Sequence, residues 1–316
     1  MLTRPLFTIV TITYNSSAWV RQAIESVLSS SYGDFEYIIS DDCSSDDTWE
    51  IVKSYKDPRI KAWQNEQNLG EYPNRNKVLE QALGQFILFI DGDDILYRDS
   101  LEEYSRYIEA FPSAGGVWGV FTIYFDFVVF PYLLPPEELT RLNFLSLYPV
   151  TVVGLAETLF NTECLRKIGG FNTGFGIGDT YVKRRMACEF PMLLIPAGRC
   201  FWRQSANQAS QLVRKKYRIL IETFRIDREI LSAPYCPLEG VEKELAVRNF
   251  RIRTIKLVVG NTLMKGRFTD FFMLMKKMEI PYTRLAYLFK KADYSYKARV
   301  ESDRPLFNDY NFRKKP

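Results

Sequence analysis

Histidine is absent from all 316 residues, and its absence removes several kinds of chemistry at once. Ser-His-Asp and Cys-His nucleophile systems, imidazole proton shuttles and zinc sites built on imidazole are excluded. A general base in this chain is then expected to be a carboxylate, and a metal to be a hard cation held by oxygen. Cysteine is scarce too: Cys43, Cys164, Cys188, Cys200 and Cys236 are widely spaced, and no two form a CxxC pair. Structural zinc and a disulfide framework do not fit, and a reducing cytoplasm suits such a chain. Long apolar runs are also missing. The most apolar stretch, Phe121 to Pro136, is interrupted by Asp126 and Pro131 and is too short to span a bilayer. The start, Met1-Leu2-Thr3-Arg4-Pro5, leads into a strand-like run with no signal-peptide pattern.

What remains is a composition able to bury a large core, with 47% apolar and 15% aromatic residues. The net charge of +4 conceals a split: residues 1–211 carry 18 Lys+Arg against 26 Asp+Glu, and residues 212–316 carry 24 against 12. Such asymmetry predicts two regions with different partners, divided near residue 211.

The first hundred residues alternate strand and helix patterns. Leu6–Thr13 is β-branched and apolar on both faces, as a buried parallel strand requires. Ser16 or Ser17 is placed to cap a helix with apolar positions at Val20, Ala23, Ile24, Val27 and Leu28. A strand over Glu36–Ser40, a helix over Thr48–Tyr55, a strand over Ile60–Gln64, a helix over Pro73–Ala82 and a strand over Gln85–Ile90 follow. This alternation predicts an open, mostly parallel α/β sheet with right-handed crossovers. Ligands of such sheets bind beyond the carboxyl ends of the strands. Thr13-Tyr14-Asn15, Asp41-Asp42 and Asp91-Gly92-Asp93-Asp94 all fall there. Beyond Ser210 the pattern becomes long cationic helices, over Gln211–Ser232, Val241–Leu263, Thr269–Met278 and Tyr282–Lys291.

Asp91, Asp93 and Asp94 crowd three carboxylates into four residues, an arrangement that needs a cation or a donor network to offset repulsion. Mg²⁺ or Mn²⁺ with one or two protein carboxylates and phosphate oxygens suits a diphosphate leaving group. A solvated turn is the plain alternative.

Taken together, four pieces in order resemble family 2 glycosyltransferases with a GT-A fold: the strand ending in Thr13-Tyr14-Asn15, the segment Ile38 to Thr48, the run Asn68-Leu69-Gly70…Arg75-Asn76, and Phe89-Ile90-Asp91-Gly92-Asp93-Asp94. The resemblance covers roughly residues 5–210. It implies a GT-A nucleotide-sugar-binding and catalytic domain over 1–211 and a basic helical region over 212–316. Thr13 and Tyr14 would line the nucleotide pocket, one of Asp41 and Asp42 would accept the uracil N3–H while the other holds the loop, and Arg75 would meet the base or the diphosphate. Asp93 and Asp91 would be the acids of the DxD-type motif, with Asp93 the direct metal ligand and Asp91 serving the ribose or a metal water. Asp94 would orient the turn or meet the donor sugar. Cys43 stands where the family has a small Gly, and Ile12 where Pro is common.

Farther on, Gly169-Gly170-Phe171 looks like the family's GGF turn, and Asp179 with Arg185 like its ED…R element, with Gly178 in place of the usual Glu. An inverting transfer needs a carboxylate to take the acceptor proton, and Asp179 is the candidate base, although an Asp there also suits a helix N-cap. Phe201-Trp202-Arg203 and Asn207-Gln208-Ala209-Ser210 resemble the family's closing segment. There Arg203 would pair with diphosphate and Trp202 would stack on a sugar, or the two would be a core and a surface residue. Val117–Tyr148, with Trp118, Tyr124, Phe127, Tyr132 and Pro135-Pro136, fits no family motif and is read as acceptor-side structure.

The expected activity is an inverting transfer from a nucleotide-sugar donor, with a lean toward uridine, to a hydroxyl of a glycan or lipid-linked acceptor. A nucleotidyltransferase would carry a Gly-rich phosphate loop after the first strand, which Tyr14-Asn15-Ser16-Ser17-Ala18 lacks. A non-catalytic binder would have lost the acids, and a receiver domain leaves Asp179 unexplained. The basic region suits either solvated helical faces or peripheral contact with an anionic membrane from the cytoplasmic side. Nucleic acid is not expected, because no recognition motif accompanies the charge.

Overall fold

The computed structural model describes residues 4–120, 130–146, 151, 153–203 and 217–293. The strands are β1 (Phe7–Thr13), β2 (Phe35–Asp41), β3 (Ile60–Gln64), β4 (Phe86–Phe89), β5 (Ile95–Leu96), β6 (Gly116–Val120), β7 (Tyr132–Leu134), β8 (Thr158–Asn161), β9 (Met192–Pro196) and β10 (Cys200–Phe201). Successive side chains of the central strands go to opposite faces, and both faces are covered, so apolar runs rather than alternation mark them. Phe7, Ile9, Tyr37, Ile39, Phe86 and Leu88 enter one apolar cluster, while Val10, Ile38, Ile87 and Phe89 enter the other.

The helices are α1 (Val20–Leu28), α2 (Thr48–Ser54), α3 (Glu71–Gln81), α4 (Ser100–Ala110), α5 (Pro136–Phe144), α6 (Thr162–Lys167), α7 (Gly178–Glu189), α8 (Arg218–Ser232), α9 (Gly240–Asn261) and α10 (Phe268–Lys277). Val20, Ile24 and Val27 of α1 and Leu101, Tyr104 and Ile108 of α4 cover the first cluster. Val78 and Leu79 of α3 and Val182 and Met186 of α7 cover the second.

Among the described residues the main sheet runs β3-β2-β1-β4-β8-β6-β9-β7. The β1–β2, β2–β3, β1–β4 and β6–β9 pairs are parallel, β8 is antiparallel to β4 and β6, and β7 is antiparallel to β9. The chain builds outward from β1 to β2 and β3, then crosses to β4 on the other side. That reversal opens a crevice past the carboxyl ends of β1 and β4, where the ligand of an open α/β sheet belongs. The mostly parallel α/β fold expected from the sequence is present.

Several local expectations change. α1 is capped at Trp19 rather than by Ser16 or Ser17; the Ser16 carbonyl instead accepts from Trp19 N and Val20 N, both at 2.9 Å. α3 starts at Glu71, ahead of the expected Pro73, because proline is tolerated in a first turn whose N–H groups have no helical partner. Tyr282–Phe289 is a 3₁₀ run rather than an α-helix. Trp118, read as acceptor-side, is fully buried on the central strand β6. Tyr124, Phe127, Tyr148, the Asn207–Ser210 segment and the division near residue 211 lie outside the described residues.

The basic helices do not stand apart. Phe224, Ile230, Phe250, Val258 and Leu274 of α8, α9 and α10 share one core with Phe144 of α5 and Tyr181 and Cys188 of α7. Asp227 of α8, 1% exposed, sits between Arg184 of α7 and Arg253 of α9, and Arg141 of α5 pairs with Glu242 of α9 at 3.0 Å. Removing one member of a buried ion cluster leaves the others unpaired. Asp227→Ala is therefore expected to cost about 3–5 kcal/mol in urea unfolding; a loss below about 1 kcal/mol would mean that the cluster is not a structural tie.

Candidate active site

The site begins where β1 and β2 end together. Asp41, fully buried, accepts at Oδ1 from Thr13 Oγ1 at 2.7 Å and Ser44 Oγ at 2.5 Å, and at Oδ2 from Ser44 N at 3.0 Å and Gln64 Nε2 at 2.9 Å. A carboxylate offers about four acceptor positions, so Asp41 is saturated from within the protein. Asp42 accepts from Asn65 Nδ2 and Leu69 N at Oδ1 and from Gly70 N at Oδ2, all at 2.9 Å. Among the described residues, Asp41 thus accepts four hydrogen bonds and Asp42 three.

Immediately after Asp42, Cys43 adopts φ 63°, the left-handed region that disfavours a side chain bearing Cβ. The glycine usual here in the family would adopt it freely, so the departure seen in the sequence is a departure in strain.

The acidic turn follows β4 and lies against the end of β1. A Cβ added to Gly92 would come 3.0 Å from Thr13 Cγ2 and 3.3 Å from Ser16 Cβ, so glycine lets the turn approach this closely without displacing those side chains. The three acids diverge. Arg75 Nη2 donates to both carboxylate oxygens of Asp91, at 2.8 and 3.0 Å. Asp94 Oδ1 accepts from Arg203 N at 3.1 Å, and Arg203 Nε donates to the Asp93 carbonyl at 2.9 Å. The Arg203 guanidinium also lies 4.1 Å from the Trp19 ring centroid. The antiparallel β5–β10 pair, Ile95 with Phe201 and Leu96 with Cys200, fixes this arrangement.

Burial first, then the charges of Asp91 and Asp93, push the Asp94 carboxyl up to about 8. Hard oxygen donors on Asp91 and Asp93 fit a divalent cation of the Mg²⁺ or Mn²⁺ type. Among the described residues no three Asp, Glu, Cys or His side chains converge on one point.

Arg75, expected to meet the base or diphosphate, is only 1% exposed. Its guanidinium is spent on Asp91 and on Glu71 Oε1 at 3.2 Å, between the rings of Phe89 and Phe171 at 5.3 and 5.9 Å. It acts on the acidic turn from below.

Asp179 lies in the first turn of α7, whose N-cap position is Ile177, and its carboxylate also accepts from the Thr180 backbone N–H. Its Oδ2 accepts from Lys183 Nζ at 2.9 Å and its Oδ1 from the Tyr72 hydroxyl at 3.4 Å. Burial alone would raise the carboxyl, but the Lys183 charge and hydrogen bond outweigh it and hold it below the usual range. Lys183, not Arg185, is the cation at Asp179: four residues along a helix return to the same face and six do not. Arg185 instead pairs with Glu189 at 2.9 Å. Gly178 has a reason of its own, since a Cβ there would fall 3.0 Å from the Tyr72 ring.

Sequence reasoning missed Glu71, Tyr72 and Lys183. Glu71 lies between the two halves of the site; its carboxyl is raised by burial and by the charges of Asp91 and Asp179, with Arg75 opposing. The Lys183 signal was available as i+4 spacing from Asp179; Glu71 and Tyr72 were hidden because the helix was expected to begin at Pro73. Tyr14 and Trp202 are 55% and 50% exposed, in keeping with contact positions at the rim rather than core packing.

The fold belongs to the GT-A class. The Staphylococcus aureus TarS fragment in complex with UDP-GlcNAc superposes with a TM-score of 0.63 at 20% identity, covering 89% of this chain and 83% of that one. A mannosyltransferase from Pyrobaculum calidifontis, with GDP-Man and Mn²⁺, gives 0.56 at 17% identity over 90% and 85%. The chain is a member of glycosyl transferase family 2, whose model matches residues 8–169. In sequence it is similar to the poly(ribitol-phosphate) beta-N-acetylglucosaminyltransferase TarS of S. aureus, 34% identical over 33% of this chain and 19% of that protein. It is also similar to the UDP-Glc:alpha-D-GlcNAc-diphosphoundecaprenol beta-1,3-glucosyltransferase WfaP of Escherichia coli, 36% identical over 33% and 41%. The matched stretch thus spans less than half the length of either relative.

Replacing Cys43 by Gly relieves its left-handed strain, less the extra chain entropy of glycine. Cys43→Gly is expected to stabilise the protein by about 0.5–1 kcal/mol, read from the urea midpoint at unchanged m. A lowered midpoint would show that the Cys43 side chain contributes more than its backbone strain costs.

Proposed function

We propose that this protein is an inverting glycosyltransferase that moves a sugar from a uridine-type nucleotide donor to a hydroxyl of a glycan or lipid-linked acceptor. The observation that carries this reading is the first turn of α3 with the two residues before it. Leu69 N and Gly70 N bind Asp42, Arg75 one turn on binds Asp91, and Tyr72 binds Asp179. One rigid element thereby joins a base-recognising acid, a diphosphate-side acid and an ionised carboxylate.

In this reading Thr13 and Tyr14 border the nucleotide, and Asp42 accepts the uracil N3–H on its remaining lone pair. Asp93 and Asp91 would hold the divalent ion, which when bound neutralises charge on the departing diphosphate. Arg75 orients Asp91 without touching the donor. Arg203 braces the acidic turn through Asp93 and Asp94, leaving Trp202 at the rim to face a sugar. Asp179, kept ionised by Lys183, takes the acceptor hydroxyl proton as that oxygen attacks the anomeric carbon; the bond from that carbon to the diphosphate oxygen breaks, and its electron pair leaves with the diphosphate. Tyr72 and Lys183 hold the carboxylate in place. UDP-GlcNAc in the TarS complex supports a uridine donor, GDP-Man with Mn²⁺ in the Pyrobaculum calidifontis structure supports a nucleotide sugar used with a divalent ion, and the diphosphoundecaprenol named for WfaP supports a lipid-linked acceptor.

A thermal-shift screen of nucleotide sugars tests the donor: a UDP-sugar is expected to raise Tm, more so with Mn²⁺, and no response to any nucleotide overturns the reading. Asp179→Asn is expected to lower turnover by ~10²–10⁴-fold with the donor-induced shift intact; turnover near that of the unaltered protein rules out Asp179 as the base. In the unaltered enzyme the acid limb of the pH–rate profile should lie below the ordinary carboxylate range, because activity is lost only as pH falls through the depressed Asp179 value. Removing the cation in Lys183→Met leaves burial unopposed, so that limb should move to higher pH. An unmoved limb assigns it to another group.

A further inference from the structure

α10 buries one face and leaves another uncovered. Phe271, Leu274 and Met275 enter the core of the basic helices, whereas Phe268, Phe272 and Met273 are 62%, 55% and 40% exposed. Met264 just before the helix is 79% exposed and Tyr282 just after it 54%; Tyr282 packs edge-on to Phe272, 6.3 Å between centroids. Large apolar side chains clustered this way mark an interaction site rather than ordinary surface scatter.

The charge around them has one sign. Residues 262–291 contain Lys265, Arg267, Lys276, Lys277, Arg284, Lys290 and Lys291 against only Asp270 and Glu279. Both acids are engaged within the protein, Asp270 with the Tyr217 hydroxyl at 3.0 Å and Glu279 with Arg228 at 2.9 Å. An aromatic and methionine surface ringed by cations matches a bilayer of anionic lipids, with acyl boundary for the rings and headgroups for the ammonium groups. A second copy of the chain fits poorly, because a two-fold contact would set this cationic patch against itself. The chain's own residues 294–316 also carry more Lys+Arg than Asp+Glu, six against three, a charge of the same sign as the patch.

We propose that this face, Met264, Phe268, Phe272, Met273 and Tyr282 with Lys265, Lys276 and Lys277, docks the protein on an anionic membrane surface. The proposal concerns where the protein sits and stands apart from which sugar it transfers.

The test is flotation of the full chain with phosphatidylcholine vesicles and with vesicles containing phosphatidylglycerol, at low and high salt. The full chain should float only with the anionic vesicles, and less at high salt. Lys276→Ala with Lys277→Ala should weaken binding by roughly 30-fold at low salt. Phe268→Ser with Phe272→Ser should weaken it by about tenfold or more while leaving the UDP-sugar thermal shift unchanged; that shift reports a folded donor site independently of the membrane. Equal binding to both vesicle types, or unchanged binding by both variants, overturns the proposal. So does a dimer in light scattering that Phe268→Ser with Phe272→Ser dissolves, which assigns the face to a second copy. Binding that appears only when the chain is ended at Asp293 likewise overturns it, by making residues 294–316 the occupant.

Discussion

A guanidinium taken out of water needs a counterion beside it, and in this protein that requirement falls on Arg75. Its Nη2 reaches Asp91 and Glu71, while its flat faces lie against Phe89 of β4 and Phe171 of the Gly-Gly-Phe turn. The pairing fixes α3 to the end of β4, and through Phe171 it draws in the segment that leads to α7. Among the described residues two nitrogens of the group, Nε and Nη1, have no hydrogen-bond partner, so the pair with Asp91 carries most of the compensation for burial. Loss of Asp91 leaves the buried Arg75 with Glu71 alone as counterion, and the geometry of the strand-end acids depends on that not happening.

A second constraint links the two halves of the chain. α7 holds Asp179 near its N-terminus and Arg184 near its middle, and Arg184 reaches Asp227 of α8. The basic helices therefore press directly on the helix that presents the candidate base. Their charge need not be only an outward feature, because Arg184 and Arg253 are used inward on a single aspartate.

Much of the framework was legible in the sequence because burial on both sides of a sheet leaves a local trace. The apolar runs at Leu6–Thr13 and Gln85–Ile90, each ending in polar residues, gave strands, crevice and candidate acids together. What stayed hidden depended on partners far along the chain. The start of α3 is governed by Asp42, whose carboxylate binds Leu69 and Gly70 from 27 and 28 residues away; no local helix signal reports that. The proposed division of labour between Asp41 and Asp42 rests on counting donors, and Ser44, Gln64 and Asn65 count only once folded. Trp118 looked available because aromatics serve both cores and ligand surfaces, and its place on β6 decided the matter. Lys183 lay within reach of simple helical spacing.

Among the described residues, the two outer strands of the main sheet bear on how the protein behaves in a crowded solution. An unpaired strand flank is a template for joining another chain edge to edge. At one border β3 is only five residues long, with Lys61, Ala62 and Gln64 exposed. At the other β7 is three residues long and bracketed by Pro131, Pro135 and Pro136, residues that cannot donate to a new ladder. Brevity, charge and proline thus blunt both borders, so a sheet this wide resists growing into intermolecular β aggregates.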